Sequence, residues 1–267
     1  MVTLDQAGLA RSALVMVQVP APLRNVVDLV WIDERPRLAL ASPQWRVVPD
    51  DAPHLIYYRY VDGHPGTEHH RLNVVGARST YVDVDCSRRL FTIGLRLRPG
   101  AIPALLRVAA HEITNRSVAA ELLARDPVCA ALDRLGDDTP LEAVRRLTEL
   151  VTHLAARGRT IDARARQLAS AQPLTALTAL SVRRTATSLG IGDRALRRWS
   201  ATHLGVGLRR FLSIRRLHGA LQARLEQPAA TWSQIAAANG FADHPHLIRD
   251  CHALLGESPS EFFARTR

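Results

Sequence analysis

With 267 residues, 47% of them hydrophobic and 22% charged, the chain is long enough for two compact domains and has the composition of an ordinary soluble globular protein. Its formal net charge of +10 is unevenly placed: residues 1–159 hold 20 arginines against 18 acids, and residues 160–267 hold 15 against 7. No apolar run approaches a membrane span, the N-terminus lacks a charged-then-apolar secretory pattern, and Cys86, Cys129 and Cys251 are too scattered for a metal or disulfide framework, so a reduced cytoplasm is the expected setting.

All 35 basic residues are arginine, which a GC-rich genome explains more simply than a demand for planar guanidinium forks. A basic balance confined to one half is the footprint of a nucleic-acid-binding part joined to a part with another job. A basic membrane-surface helix would need an apolar face with aromatic anchors, and the arginines have none beside them.

In chain order, residues 13–98 break into short β-type runs at 14–19, 26–32, 38–41, 54–61, 72–75, 80–84 and 90–97. Alternation is clear from Tyr81 to Asp85 and again where Phe91, Ile93, Leu95 and Leu97 share one face. Strands at this spacing predict a sandwich or small barrel. His64, Glu68, His69 and His70 crowd a loop with metal-binding side chains. The residues fit a solvated hairpin loop better, and no metal is expected. Arg96 and Arg98, beside Pro99-Gly100, stand at a strand end, facing either an acidic ligand or, more simply, solvent.

Residues 101–158 are helical in character. Leu105, Leu106 and Val108, and the run 118–123, predict short helices. From 141 to 157, Leu141, Val144, Leu147, Leu150, Val151 and Leu154 form an apolar stripe, able to pair with a second copy or to pack on the β-rich part. Gly158 ends the run and is the expected domain boundary.

The C-terminal part opens with a helix over 161–170 and a break at Pro173. Residues 181–189 predict a helix closed by Gly190-Ile191-Gly192, with Asp193 as the next N-cap and a second helix to Leu204. Residues 208–225 carry Phe211, Ile214, Leu217 or His218, Leu221 and Leu225 as one long helical stripe. A second helix begins near Trp232 and stops at Gly240. Asp243 then caps a helix with Pro245 in its first turn, which runs to Gly256 before Ser258-Pro259 opens the last helix. The two units repeat at an offset of 51, Leu196-Arg197-Arg198 with Gly205 matching Leu247-Ile248-Arg249 with Gly256, and the second turn is one residue longer. Helix, glycine turn and helix, twice over, suit a DNA-reading helix-turn-helix protein.

The run Ile235-Ala236, Gly240-Phe241, Asp243, His246, Arg249, Gly256, Ser258-Pro259 and Phe262-Phe263 resembles the second helix-turn-helix of the AraC/XylS family of bacterial transcription regulators. Ala186, Leu189-Gly190-Ile191, Leu196 and Arg198 resemble the first, and Arg216-Leu217 with Ala220 the bridging helix. Leu247, Cys251 and Ser200 stand where the family usually has aromatic residues; Trp199 beside Ser200 is a candidate for the missing bulk. Further upstream, Val48-Pro49-Asp50, His54-Leu55-Ile56, Val75-Gly76-Ala77-Arg78 and Gly94 to Gly100 resemble the sensory domain of one AraC-type subgroup.

The resemblance implies an α+β chain with a cupin-like β-barrel and packing helices over 1–158. It implies an all-α DNA-binding domain over 160–267, with a first helix-turn-helix at 181–204, a bridging helix at 208–225 and a second helix-turn-helix at 231–255. It also implies a non-enzymatic regulator with an effector-responsive, dimerising N-terminal half, which tilts the 141–154 stripe towards pairing. The expected partners are double-stranded DNA, a small-molecule effector, a second copy of the chain and, for an activator, RNA polymerase. No cofactor and no membrane are expected, and the location is cytoplasmic, on the nucleoid. Arg194, Arg197, His244 and His246 are placed to meet base edges in successive major grooves, roughly 34 Å apart. Arg198, Arg249, Arg183, Arg184, Arg209 and Arg210 are placed to grip phosphates. Two other classes compete: a metal-dependent cupin-type enzyme fused to a DNA-binding module, and an effector-independent architectural DNA binder.

Overall fold

The computed structural model describes residues 14–34, 44–61, 68–85, 89–170 and 182–265. The expected strand at 38–41, His64 with most of its loop, Cys86 and the Pro173 break lie outside them. Strands β1 (Leu14–Val17), β2 (Val27–Asp33), β4 (His54–Val61), β5 (Glu68–Val75), β7 (Arg89–Leu97) and β8 (Ser117–Ala119) form one antiparallel sheet in the order β1-β2-β7-β4-β5-β8. Strands β3 (Gln44–Val47) and β6 (Val82–Asp85) pair separately as a two-stranded ribbon. The central strand β7 behaves as its alternation predicts: Phe91, Ile93, Leu95 and Leu97 are all buried. Gly94 lies opposite Trp31, and a Cβ there would come within 2.2 Å of the indole.

The sheet does not close on itself among the described residues, so the expected barrel is an open sheet, while the α+β class stands. Closure is unnecessary because helices cover the apolar face. They are α1 (Ala101–Leu106), α2 (Arg125–Leu135) and α3 (Pro140–Arg157), and their buried residues join those of the strands in one core. The corner between α2 and α3 is tied to the sheet by the Tyr57 hydroxyl, which donates to the Leu135 carbonyl at 2.8 Å, and by Arg59, which donates to Asp138 O at 2.9 Å.

Helix α3 starts where local chemistry dictates. Thr139 and Glu142 form a reciprocal capping box, and Pro140 occupies the first turn. Its stripe is committed within the chain: Leu147 is 0% exposed and Leu150 5%, packed in the core with Val144 and Val151. The reading of this stripe as a pairing face is corrected accordingly; of the stripe residues, Leu141 at the helix start is 67% exposed. Two strands replace expected loop or helix. Ser117–Ala119 pairs with Asn73–Val75 at the sheet edge, and Gln44–Val47 pairs with β6; both take their conformation from a distant partner rather than from local propensity.

The C-terminal part consists of α4 (Ala163–Ser170), α5 (Val182–Ser188), α6 (Asp193–Leu204), α7 (Leu208–Glu226), α8 (Trp232–Ala238), α9 (His244–Leu255) and α10 (Pro259–Arg265). The bridging helix α7 serves two cores. Phe211 and Leu212 pack with Leu168, Ala186, Leu189, Leu196 and Leu204 of the first unit; Ile214, Leu217 and Leu221 pack with Ile235, Leu247, Cys251 and Phe262 of the second. Leu247 and Cys251 fill their aromatic-free positions completely, each 0% exposed. Ser200 is buried with its hydroxyl on the Arg197 carbonyl at 3.1 Å. Trp199 packs against both the first-unit core and the N-terminal core, its indole N–H donating to Asp162 at 3.0 Å. Ile161 and Ala165, beyond the expected boundary at Gly158, are buried in the N-terminal core as well.

Candidate DNA-reading surface

Each helix pair turns on a left-handed glycine. Gly190 has φ +64 and Gly240 φ +74, a region where a side chain would strain the backbone. The second helix of each pair then begins in register with its repeat. In the second unit Asp243 is the N-cap: its carboxylate accepts the His246 backbone N–H at 2.6 Å, and Pro245 sits in the first turn. In the first unit the N-cap is Gly192, which makes no side-chain cap bond, and Asp193 is the first helical residue. The capping role expected of Asp193 is therefore corrected; the shorter first turn moves the acid one position into the helix.

The candidate DNA contacts on the second helix of each pair differ between the two units. Arg194, Arg197 and Arg198 are exposed on α6, and among the described residues they have no hydrogen bond or ion pair to another part of the chain. On α9 the polar groups are engaged with one another. His246 Nδ1 accepts from the Ala242 backbone N–H at 3.2 Å, its ring packs edge-on to Phe241 at 5.4 Å, and its Nε2 lies 3.7 Å from Asp250. Arg249 is exposed, 4.0 Å from Asp243, and His244 is half-buried at the helix start. Of the flanking arginines, Arg184 and Arg209 are exposed, and the Arg183 side chain lies outside the description.

Arg210 is placed differently from the expectation. Its Nε donates to the Ser79 carbonyl at 2.9 Å, and Nη2 reaches the same oxygen and that of Ala253. Burial pushes its pKa down. This guanidinium braces the two halves of the chain against each other and is not presented to a phosphate.

Arg210 is one of a set of braces that sequence reasoning missed. Arg96, read as solvent-facing, lies in a buried ion network: it donates to Asp50 at 2.7 and 3.1 Å, to Asp51 at 2.8 Å and to Asp28 at 2.6 Å. Arg98 also turns back, donating to the Arg24 carbonyl at 2.7 Å. Burial alone would raise Asp50, but the charges of Arg96 and His54, with their hydrogen bonds, hold it well below the usual carboxylate range. Across the boundary, Arg215 of α7 donates to Asp51 at 2.7 Å and to the Leu168 carbonyl at 2.7 Å, and His218 Nε2 lies 2.6 Å from Pro49 O. Asp50, Asp51 and His218 bring possible metal-ligand atoms within 4.8 Å of one another, but Arg96 and Arg215 already balance those carboxylates.

The β3–β6 ribbon grips the second unit. Tyr81 N–H donates to Leu254 O at 3.1 Å, and Arg46 bridges Asp83, Glu257 and Leu255 O. Gly256 permits the approach: a Cβ there would lie 2.5 Å from the Tyr81 ring. The first unit is held by Thr114, whose hydroxyl donates to Gly205 O at 2.8 Å. One signal for these contacts was readable. Arg215 interrupts an apolar helical stripe between Ile214 and Leu217, and a charge on a buried face requires a counter-charge.

Glu68, His69 and His70 belong to β5 rather than to a loop. Adjacent strand residues face opposite ways: His69 stacks on Tyr60 at 5.5 Å, whereas His70 lies near Tyr57 at 6.1 Å. Two such rings do not converge on one ion.

A helix-turn-helix domain model matches residues 185–265, and a domain of unknown function (DUF6597) matches residues 16–119. No curated protein matches the chain. Among solved structures the chain is similar to ToxT from Vibrio cholerae O395, at 9% identity over 83% of this chain and 96% of that one, TM-score 0.41. It is similar to the same protein bound to (E)-4-(8-methylnaphthalen-1-yl)but-3-enoic acid, at 9% identity over 84% and 98%, TM-score 0.44. Unsaturated fatty acid bound wild-type ToxT from Vibrio cholerae strain SCE256 is 11% identical over 82% and 93%, TM-score 0.42. Among the described residues no helix is long and apolar enough to cross a membrane. The helix-turn-helix match coincides with α5 to α10 and takes in both glycine turns, so residues 185–265 form a helix-turn-helix domain.

Proposed function

We propose that the chain is a one-component transcription regulator whose two helix-turn-helix units read successive major grooves of one asymmetric site. The observation that carries this reading is the pairing of a shared bridging helix, α7, which packs into both cores, with Arg194, Arg197 and Arg198 on α6, exposed and without a partner among the described residues. In such an arrangement the early-helix residues Arg194, Arg197, His244 and His246 meet base edges, while Arg198, Arg249, Arg184 and Arg209 neutralise phosphates. The N-terminal half takes a small-molecule effector and passes its state to the reading heads through the Asp51–Arg215, Pro49–His218 and Tyr81–Leu254 contacts. A binding role rather than catalysis, a cytoplasmic location on the nucleoid, a homodimer and, where transcription is activated, contact with RNA polymerase complete the reading.

The test uses the full chain to select duplexes from a randomised pool, followed by binding isotherms at several salt concentrations on selected and scrambled duplexes. Arg197→Ala is expected to cost about 1–3 kcal/mol on the selected duplex and to relax preference at one base pair. Arg184→Ala is expected to weaken both duplexes alike and to reduce the salt slope by roughly one unit. Equal, sequence-independent losses for the two variants would sink the assignment of Arg197 as a base reader. A wild-type chain that binds selected and scrambled duplexes equally would sink the regulator reading.

A further inference from the structure

Residues 163–225 contain 12 arginines and one acid, Asp193. That acid occupies the first position of α6, the helix that carries the exposed arginines. Its carboxylate is exposed. It caps nothing, because Gly192 holds the N-cap position, and among the described residues it forms no hydrogen bond and no ion pair, not even with Arg194 or Arg197 within the same turn. The repeat supplies the comparison. At the offset of 51, Asp193 corresponds to His244, whereas the acid of the second unit, Asp243, corresponds to Gly192 and is consumed as a cap on His246 N–H. The one-residue difference in turn length leaves a cap in one head and an unengaged carboxylate in the other.

An unengaged carboxylate at the front of a recognition helix has a definite chemistry. Phosphates repel it, so it gains nothing from the DNA backbone, and the surrounding stretch is otherwise free of acids. The N-terminal residues of such a helix are the ones that reach base edges. In the major groove a carboxylate is an acceptor only, which suits the exocyclic amino group of cytosine. We propose that Asp193 is a specificity-determining residue of the first head, its carboxylate accepting a hydrogen bond from N4 of one cytosine beside the bases met by Arg194 and Arg197. This rests on the two-headed reading above and deepens it. The plainer role of a first-turn acid, favouring the helix dipole, is indifferent to DNA sequence and is separated by the test.

The full chain, wild type, Asp193→Ala and Asp193→Asn, is titrated against a duplex selected by the wild type from a randomised pool, and against every single-base-pair substitution of it. The wild type is expected to prefer cytosine at one position by about tenfold. Asp193→Ala is expected to lose that preference while every other position, including the one relaxed by Arg197→Ala, keeps its profile. Asp193→Asn, which adds a donor to the acceptor, is expected to move the same position towards adenine. A uniform gain of affinity on all duplexes with Asp193→Ala would mean relief of phosphate repulsion alone and would overturn the proposal; so would an unchanged profile. A wild type that enriches no sequence brings down the two-headed reading itself, and is thereby distinguishable from a failure confined to Asp193.

Discussion

A chain carrying Leu147→Glu and Leu150→Glu together is expected to lose its folded N-terminal half rather than to release a stable monomer. Both leucines are buried among Leu23, Ile93, Leu95, Val144 and Val151 in the core that joins sheet and helices. Each substitution removes an apolar side chain worth about 2–5 kcal/mol on truncation alone. It also introduces a carboxyl group without a partner, at a further cost of several kcal/mol if charged. Two such changes exceed or match the roughly 5–15 kcal/mol that holds a typical domain together. Urea titration followed by near-ultraviolet circular dichroism should show loss of the native baseline, with dye binding to exposed apolar surface. Leu141→Glu on the same helix is the control, because that side chain is already exposed, and its effect should stay within about 0.5 kcal/mol. A cooperatively folded double variant with halved mass and unchanged midpoint would restore the pairing face.

The stripe illustrates what was legible and what was not. Periodicity located α3 and its apolar face, because a 3.6-residue repeat is a property of the segment itself. It could not say whether that face meets a sheet or a second copy, since both bury the same residues. The helix-turn-helix units were legible in detail for a related reason: glycine at positive φ, an acid or threonine at the cap and proline in the first turn act within a few residues. Asp193 failed as a cap because a helix start shifts by one residue without disturbing the apolar pattern, and the pattern alone fixed Leu196 but not Gly192. Strands β3 and β8 were missed because four- and three-residue segments carry little periodicity, and pairing with β6 and β5 defines them. Arg96 looked solvent-facing because three of its acceptors come from segments 45, 46 and 68 residues away.

Arg215→Ala is expected to destabilise the full chain by about 3–5 kcal/mol, the cost of breaking a buried ion pair from one side. Arg215 is 7% exposed, with Nε on Asp51 at 2.7 Å, Nη1 on Leu168 O at 2.7 Å and its guanidinium 4.9 Å from the Phe211 ring centre. Asp51 is itself buried and, among the described residues, keeps Arg96 as its one ion-pair partner once Arg215 is gone. The Leu168 carbonyl loses its donor at the same time, so α4 loosens from α7 as the N-terminal half loosens from both. Arg215→Lys is expected to recover only part of the loss, because a single ammonium cannot span carboxylate and carbonyl as the fork does. Asp51→Asn alone leaves Arg215 buried with an uncompensated charge and should also be costly. Combined as Asp51→Asn with Arg215→Met, the two changes should cost less than their sum, since neither charge is then left alone. Differential scanning calorimetry distinguishes a structural brace from a local packing defect: the wild type should unfold in one transition, and Arg215→Ala in two, one for each half. A double variant whose loss equals the sum of the single losses, with one transition retained throughout, would mean that Asp51 and Arg215 are not coupled. The route from the N-terminal half to the reading heads would then have to run through the other contacts, Pro49–His218, Tyr81–Leu254 and Thr114–Gly205 among them.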